Sequence, residues 1–223
     1  MEPARWKVIA LSIVTTLCLL TACDDDDDGT PYPSIITEMV MMRVDAKMRI
    51  TIQTDNGSTY NVTNKLEGLV PNSIGRMLCS YTLDVQGGAR VYKLEGVKVL
   101  HDLTTKAKTP VYDPIYDPVN FVSQWQQGKF INLHILPKTQ SDPSKHTWGF
   151  IRTGQHPNAA GGITHELSVH HNQNNDPLAY SSDYYLTLVI DSVSKTFGDN
   201  DSIELTLQGF DKAHMWRYGK QKP

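Results

Sequence analysis

From Ser34 onward apolar and polar residues take turns along this chain: Met77, Cys79, Tyr81, Leu83 and Val85 fall on every second position, as do Ile203, Leu205 and Leu207. A period of two lines one face of a β-strand. No window longer than about ten residues keeps a helical apolar period, so the expected fold class is all-β. In the first half, Met39 to Ile52 reads as one extended run. Asp55-Asn56-Gly57 then supplies the residues of a tight hairpin, and Ser58 to Thr63 returns. Arg76 to Val85 is followed by the turn Gln86-Gly87-Gly88 and by Val91 to Leu100, where Gly96 marks a bulge. About five strands in about eighty residues suit a small, partly closed barrel of the OB type.

Pro110, Pro114 and Pro118 stiffen a stretch that cannot pair as a central strand. Beyond it, strand signals cover Phe130 to Leu136, Thr147 to Arg152, Ile163 to His171, Tyr184 to Ser192 and Ser202 to Phe210. Their spacing and their Gly, Pro, Asn and Asp separators fit an antiparallel β-sandwich.

The amino end carries a different message. Arg5 and Lys7 precede the apolar stretch from Val8 to Leu20, which is too short to cross a bilayer and reads as an export signal. Leu20-Thr21-Ala22-Cys23 resembles a lipobox, in which a Leu stands three positions before a Cys with small residues between them. That resemblance implies cleavage before Cys23 and acylation of its sulfur with palmitate-like chains, which anchors a chain durably. Asp24, Asp25, Asp26, Asp27 and Asp28 follow at once. Contiguous like charges repel and form a solvated spacer. The run is also similar to the surface-export signal of Bacteroidetes lipoproteins, which implies the outer membrane, facing the cell surface.

The expected organisation is therefore a signal peptide at 1–22, an acidic lipidated tether at 23–33, an OB-like β-barrel domain at 34–109, a proline-rich linker at 110–118 and a β-sandwich domain at 119–223. The formal net charge is −3, and the aspartate run alone exceeds it. Nothing basic is clustered, so nucleic acid is not an expected partner. Cys18 leaves with the signal and Cys23 is acylated, so Cys79 is the free thiol of the mature chain and no internal disulfide is expected.

His165, Glu166, His170 and His171 form the densest group of metal-ligand types. On a strand His165 and His171 share a face while His170 points the other way, and the His-Glu-x-x-His spacing of metalloproteases is absent. A metal-dependent enzyme built on His165, His170 and His171 is the weaker reading; no cofactor, no metal and no catalytic residue are expected. Trp125, Trp148 and Tyr184, with Tyr185, Tyr180 and Trp216 as further aromatics, are candidates to stack on a glycan or a protein ligand. Asp191-Ser192-Val193 and Asp201-Ser202-Ile203 are similar to the O-glycosylation acceptor of Bacteroidetes, which implies glycans on Ser192 and Ser202.

Several of these stretches together, the lipobox with its acidic spacer, Val91 to Leu100, Trp125 to Leu133, His165 to Asn172 and Asp176-Pro177, resemble the NigD-like lipoproteins of Bacteroidetes. The resemblance implies an N-terminal OB-like domain and a C-terminal β-sandwich, and it brings no catalytic residues. The expectation is a membrane-tethered, non-enzymatic binding or assembly component of the cell envelope. The alternative is a protective factor of the bacteriocin-immunity kind.

Overall fold

A computed structural model describes residues 34–104, 108, 110–140 and 142–221. Cys23 and the aspartates that follow it lie outside the described residues, as do the export signal and the tether. The first module has five strands: β1 (Ile36–Val44), β2 (Ile50–Thr54), β3 (Thr59–Asn61), β4 (Ser73–Leu83) and β5 (Ala89–Gly96). They form an antiparallel sheet in the order β3-β2-β1-β4-β5. The extended run expected over Met39 to Ile52 is two strands, because Asp45 breaks it. Its carboxylate accepts from the Lys47 and Arg49 amides at 2.8 Å each, and Met48 turns with φ at 60°.

This sheet curls until its outer strands meet at a single parallel bridge, Val62 to Ala89. Asn64 extends the contact by giving its side-chain N–H to the Val91 carbonyl and accepting from the Val91 amide, both at 2.8 Å. The strand order and this bridge have the connectivity of an OB-like module, though no continuous barrel closes. Val40, Met42, Ile52, Cys79, Tyr81 and Val91 fill its interior. The bulge expected at Gly96 sits instead at Tyr92, which is skipped between the pairs Ser80–Lys93 and Tyr81–Val91. Gly96 is where β5 ends and the chain leaves the sheet.

The chain then joins the second module through β6 (Lys98–Val99). The remaining strands are β7 (Asn120–Gln127), β8 (Phe130–Leu136), β9 (Lys138–Thr139), β10 (Thr147–Pro157), β11 (Ile163–Asn172), β12 (Tyr180–Ser181), β13 (Tyr184–Val189), β14 (Ser202–Gln208) and β15 (Ala213–Gly219). Two four-stranded sheets, β6-β13-β8-β7 and β10-β11-β14-β15, face each other, with β9 and β12 paired beside them. Most neighbours are antiparallel; β11–β14 and β13–β6 are parallel. Ile131, Leu133, Ile135, Phe150, Leu167, Val169, Leu186, Leu188, Ile203, Leu205 and Leu207 supply the core between the sheets. The segment Ala213–Gly219 forms β15, an edge strand of its sheet.

Residues from Ile35 onward form one compact unit. The join is a buried polar latch. Arg76 of β4 grips the Asp55 carboxylate with both terminal nitrogens and reaches Asn132 Oδ1 of β8 at 3.2 Å. Thr187 of β13 donates to the same Asn132 oxygen at 2.6 Å, and the guanidinium lies 4.0 Å from the Phe130 ring centre. The proline-rich stretch is tied down as well: the Ile115 carbonyl accepts from the His171 amide and the Asp117 amide donates to the His171 carbonyl.

Candidate functional site

Alternation along β11 sends His165, Leu167, Val169 and His171 inward, and it turns Glu166 and His170 to the other face. His165 lies near the Phe197 ring, and burial lowers its pKa. His170 is buried, with its Nδ1 accepting from the Ile115 amide at 3.2 Å. His171 donates Nδ1–H to the Asp117 carbonyl at 2.8 Å, and its Nε2 meets His146 Nδ1 at 3.0 Å. His146 Nε2 in turn faces Asp176 at 3.1 Å, and that carboxylate also accepts from Thr139. Trp148 roofs the chain of bonds, stacked on His171 with centroids 3.8 Å apart. The three candidate histidines His165, His170 and His171 are thus separated into three environments. Among the described residues no three His, Cys, Asp or Glu side chains are placed to hold a metal ion.

The same stacking decides the aromatic candidates. Trp148 is only 3% exposed, held between His171 and Tyr184, and donates its ring N–H to the Pro143 carbonyl. Tyr184 packs on Trp148 at the margin of the core. The Trp148 ring leaves no face for a ligand. Trp125 is different. A bulge at Val122 re-aims β7, so that Ser123, Trp125 and Gln127 share the outer face of their sheet with His134 of β8 and Tyr185 of β13. The Arg76 latch covers this face where Asn132 and Thr187 stand. Farther along β8 the two modules part, and a groove of about 380 Å³ opens.

Thr37, Glu38, Met39 and Leu78 of the first module form one wall of that groove, and Ser123, Trp125, Gln127, His134 and Tyr185 form the other. His134 is stacked on Tyr185 with centroids 4.4 Å apart and planes 15° from parallel, and Asp183 holds its Nε2 at 2.6 Å. Glu38 accepts from the Tyr81 hydroxyl at 2.5 Å. The surfaces are therefore fixed in place before any ligand arrives. Residue types along β8 mark His134 and Asn132 as the polar face of an otherwise apolar strand, a signal that sequence reading passed over. The opposing Glu38 is too far away in the chain for spacing to reveal.

Compared with known proteins, residues 109–216 match the family profile of the NigD-like C-terminal β-sandwich domain. Residues 109–216 thus form a NigD-like C-terminal β-sandwich domain. No curated protein matches it significantly. Among solved structures it is similar to a NigD-like immunity protein from Bacteroides caccae, at 21% identity and a TM-score of 0.66 over 85% of this chain and 99% of that one. It is also similar to a protein described as toxin-related from Parabacteroides distasonis, at 14% identity and a TM-score of 0.63 over 84% and 95%. A protein described as a lipoprotein from Bacteroides fragilis shares 12% identity with a TM-score of 0.62 over 85% and 99%. These likenesses concern the fold.

Within the NigD-like sandwich, Ser192 is exposed in a single helical turn, Ile190–Val193, and donates to the Val189 carbonyl at 2.6 Å. Ser202 opens β14, half-buried between β11 and β15, with its hydroxyl 2.7 Å from that of Thr164. A second cleft of about 550 Å³ lies along the seam by Asp55, Gln127, Lys129, Phe197 and Lys220. Its charges are already paired: Asp55 with Arg76, Lys129 with Asp191, Lys220 with Asp199. Among the described residues no helix is long and apolar enough to cross a membrane.

Proposed function

We propose that this NigD-like chain is a lipid-anchored protein of the bacterial envelope, facing outward from the outer membrane, that acts by binding and not by catalysis. The observation carrying the binding half is a division of labour among rings. His146, His170 and His171 are buried and engaged in hydrogen bonds that hold loops together, whereas Trp125, His134 and Tyr185 border an open groove. A buried, bonded imidazole is poorly placed to exchange protons with a substrate.

The anchoring half rests on Leu20 to Cys23 and the aspartate run, and the lipoprotein description of the Bacteroides fragilis neighbour agrees with it. Replacing Cys23 with Ser tests it directly. The altered protein is expected to leave the membrane fraction for the soluble one; continued partitioning with the envelope would remove the anchor from this account.

A second reading is favoured by one specific finding, the immunity description of the Bacteroides caccae neighbour. In that case the groove or another surface would occupy a toxin or its receptor. A deletion strain grown against neighbouring strains separates the two, because only the protective reading expects new sensitivity to a secreted toxin.

A further inference from the structure

We propose that the groove between the two modules is a carbohydrate site, in which a sugar ring lies against Trp125 and the His134–Tyr185 stack while its hydroxyls are read by Thr37, Ser123 and Gln127. The inference deepens the binding role proposed above and rests on it.

The chemistry of the lining selects the ligand class. Sugars offer two kinds of surface: a patch of C–H bonds on the ring face, which packs on a rigid aromatic plane, and equatorial hydroxyls, each at once donor and acceptor. The groove supplies both. Trp125 and Tyr185 stand on β7 and β13 with His134 of β8 between them. His134 is only 18% exposed at its side chain, clamped by Asp183 on one side and Tyr185 on another, so a ligand does not have to order it.

Around these rings the polar lining is hydroxyl and amide: Thr37, Ser123 and Gln127. Thr37 and Ser123 offer hydroxyls that both donate and accept, and the Gln127 amide does the same through separate atoms; the Glu38 carboxylate is turned to the Tyr81 hydroxyl on the other face of β1. Among the described residues no Lys or Arg lines the groove, which argues against a phosphate or an anionic peptide. Met39 and Leu78 are its aliphatic side chains among the described residues, too little for an acyl chain.

The volume agrees as well: about 380 Å³ holds one or two sugar rings, at the small end of the range typical of ligand pockets. Gln127 lines both this groove and the larger cleft along the seam.

The test is an array carrying neutral and acidic oligosaccharides together with proline-rich peptides, probed with the full chain in detergent micelles. Any hit is then titrated by calorimetry. Binding of at least one oligosaccharide is expected, weakened about tenfold or more by Trp125→Ala and by His134→Ala, since each removes a stacking plane or its support. Thr37→Lys, on the exposed rim of β1, is a second route that leaves the packed rings untouched, and it is expected to weaken the same oligosaccharide by obstructing the groove. Oligosaccharide binding that ignores all three substitutions overturns the assignment. A proline-rich peptide as the sole groove ligand overturns the carbohydrate class while leaving the binding role standing, and an empty array overturns both.

Discussion

His146 Nδ1 and His171 Nε2 face each other at 3.0 Å inside the protein, and the groups at either end of the pair fix where its protons sit. A carbonyl only accepts, so His171 Nδ1 donates to Asp117 and its Nε2 must accept. His146 Nδ1 is then the donor between the rings. Its Nε2 is turned to the Asp176 carboxylate, which the Thr139 hydroxyl also supports. Burial holds His171 neutral and lowers its pKa from 6.5 to about 4, against the opposing pull of its bond to the Asp117 carbonyl.

Acid should therefore loosen the fold well before its carboxylates titrate. Between pH 6.5 and about 4 the unfolded chain takes up a proton at His171 that the folded chain refuses, so stability falls as pH falls through that window. The loss from this group is about 3 kcal/mol. Burial lowers the pKa of His165 and His170 in the same direction. Thermal unfolding followed at pH 7.5 and 4.5 should show Tm dropping by several degrees, with His171→Gln flattening the dependence; a profile without slope contradicts the assignment.

The latch between the modules should be far more sensitive to one change than to two. Asp55→Ala strands the buried Arg76 guanidinium without its carboxylate, and breaking a buried pair of this kind costs about 3–5 kcal/mol. Asp55→Leu combined with Arg76→Met removes the stranded charge and should lose much less. Urea midpoints arranged as a double-mutant cycle give the coupling, and strictly additive losses would refute it.

Gly149 tests how closely the crossing segment 101–103 hugs β10. An added Cβ there would meet Leu103 Cδ1 at 2.3 Å and the His101 carbonyl at 2.9 Å. Gly149→Ala should therefore destabilise by about 1–3 kcal/mol. Amide exchange at Leu103 and Phe150, whose N–H groups bond across this contact, should quicken in the variant.

Cys79 should be inert while the fold is intact. Its thiol is fully buried, and burial followed by the nearby Glu38 charge pushes its pKa up to about 12. Iodoacetamide at pH 8 should leave the Cys79 peptide unmodified in a mass spectrum and label it fully in urea. Rapid labelling of the native chain would place the thiol at the surface.

What the sequence revealed follows the range over which its signals act. Period-two alternation is local, so the all-β class, the strands Arg76 to Val85 and Ser202 to Phe210 and the turns at Gly57 and Gly87 could be read directly. β7 was missed because Asn120 to Gln127 is half-buried everywhere except at the exposed Val122 and carries amides where alternation would show apolar residues. The His146–His171–Asp176 chain and the Glu38–Trp125 groove join residues from separate strands and loops, which no spacing rule can bring together. His165, His170 and His171 drew notice as neighbours in sequence, yet a strand sends neighbours to opposite sides.

One feature of the first module bears on mechanical load. β1, the first strand among the described residues, lies in the middle of its sheet, with β2 on one flank and β4 on the other, and its nine residues are in register with β4 throughout. Traction at the amino end would act along this strand and strain two ladders of hydrogen bonds in shear, so they would have to fail together and could not unzip one by one. A protein hauled by its amino end through moving fluid would be held by a strand that is paired on both sides.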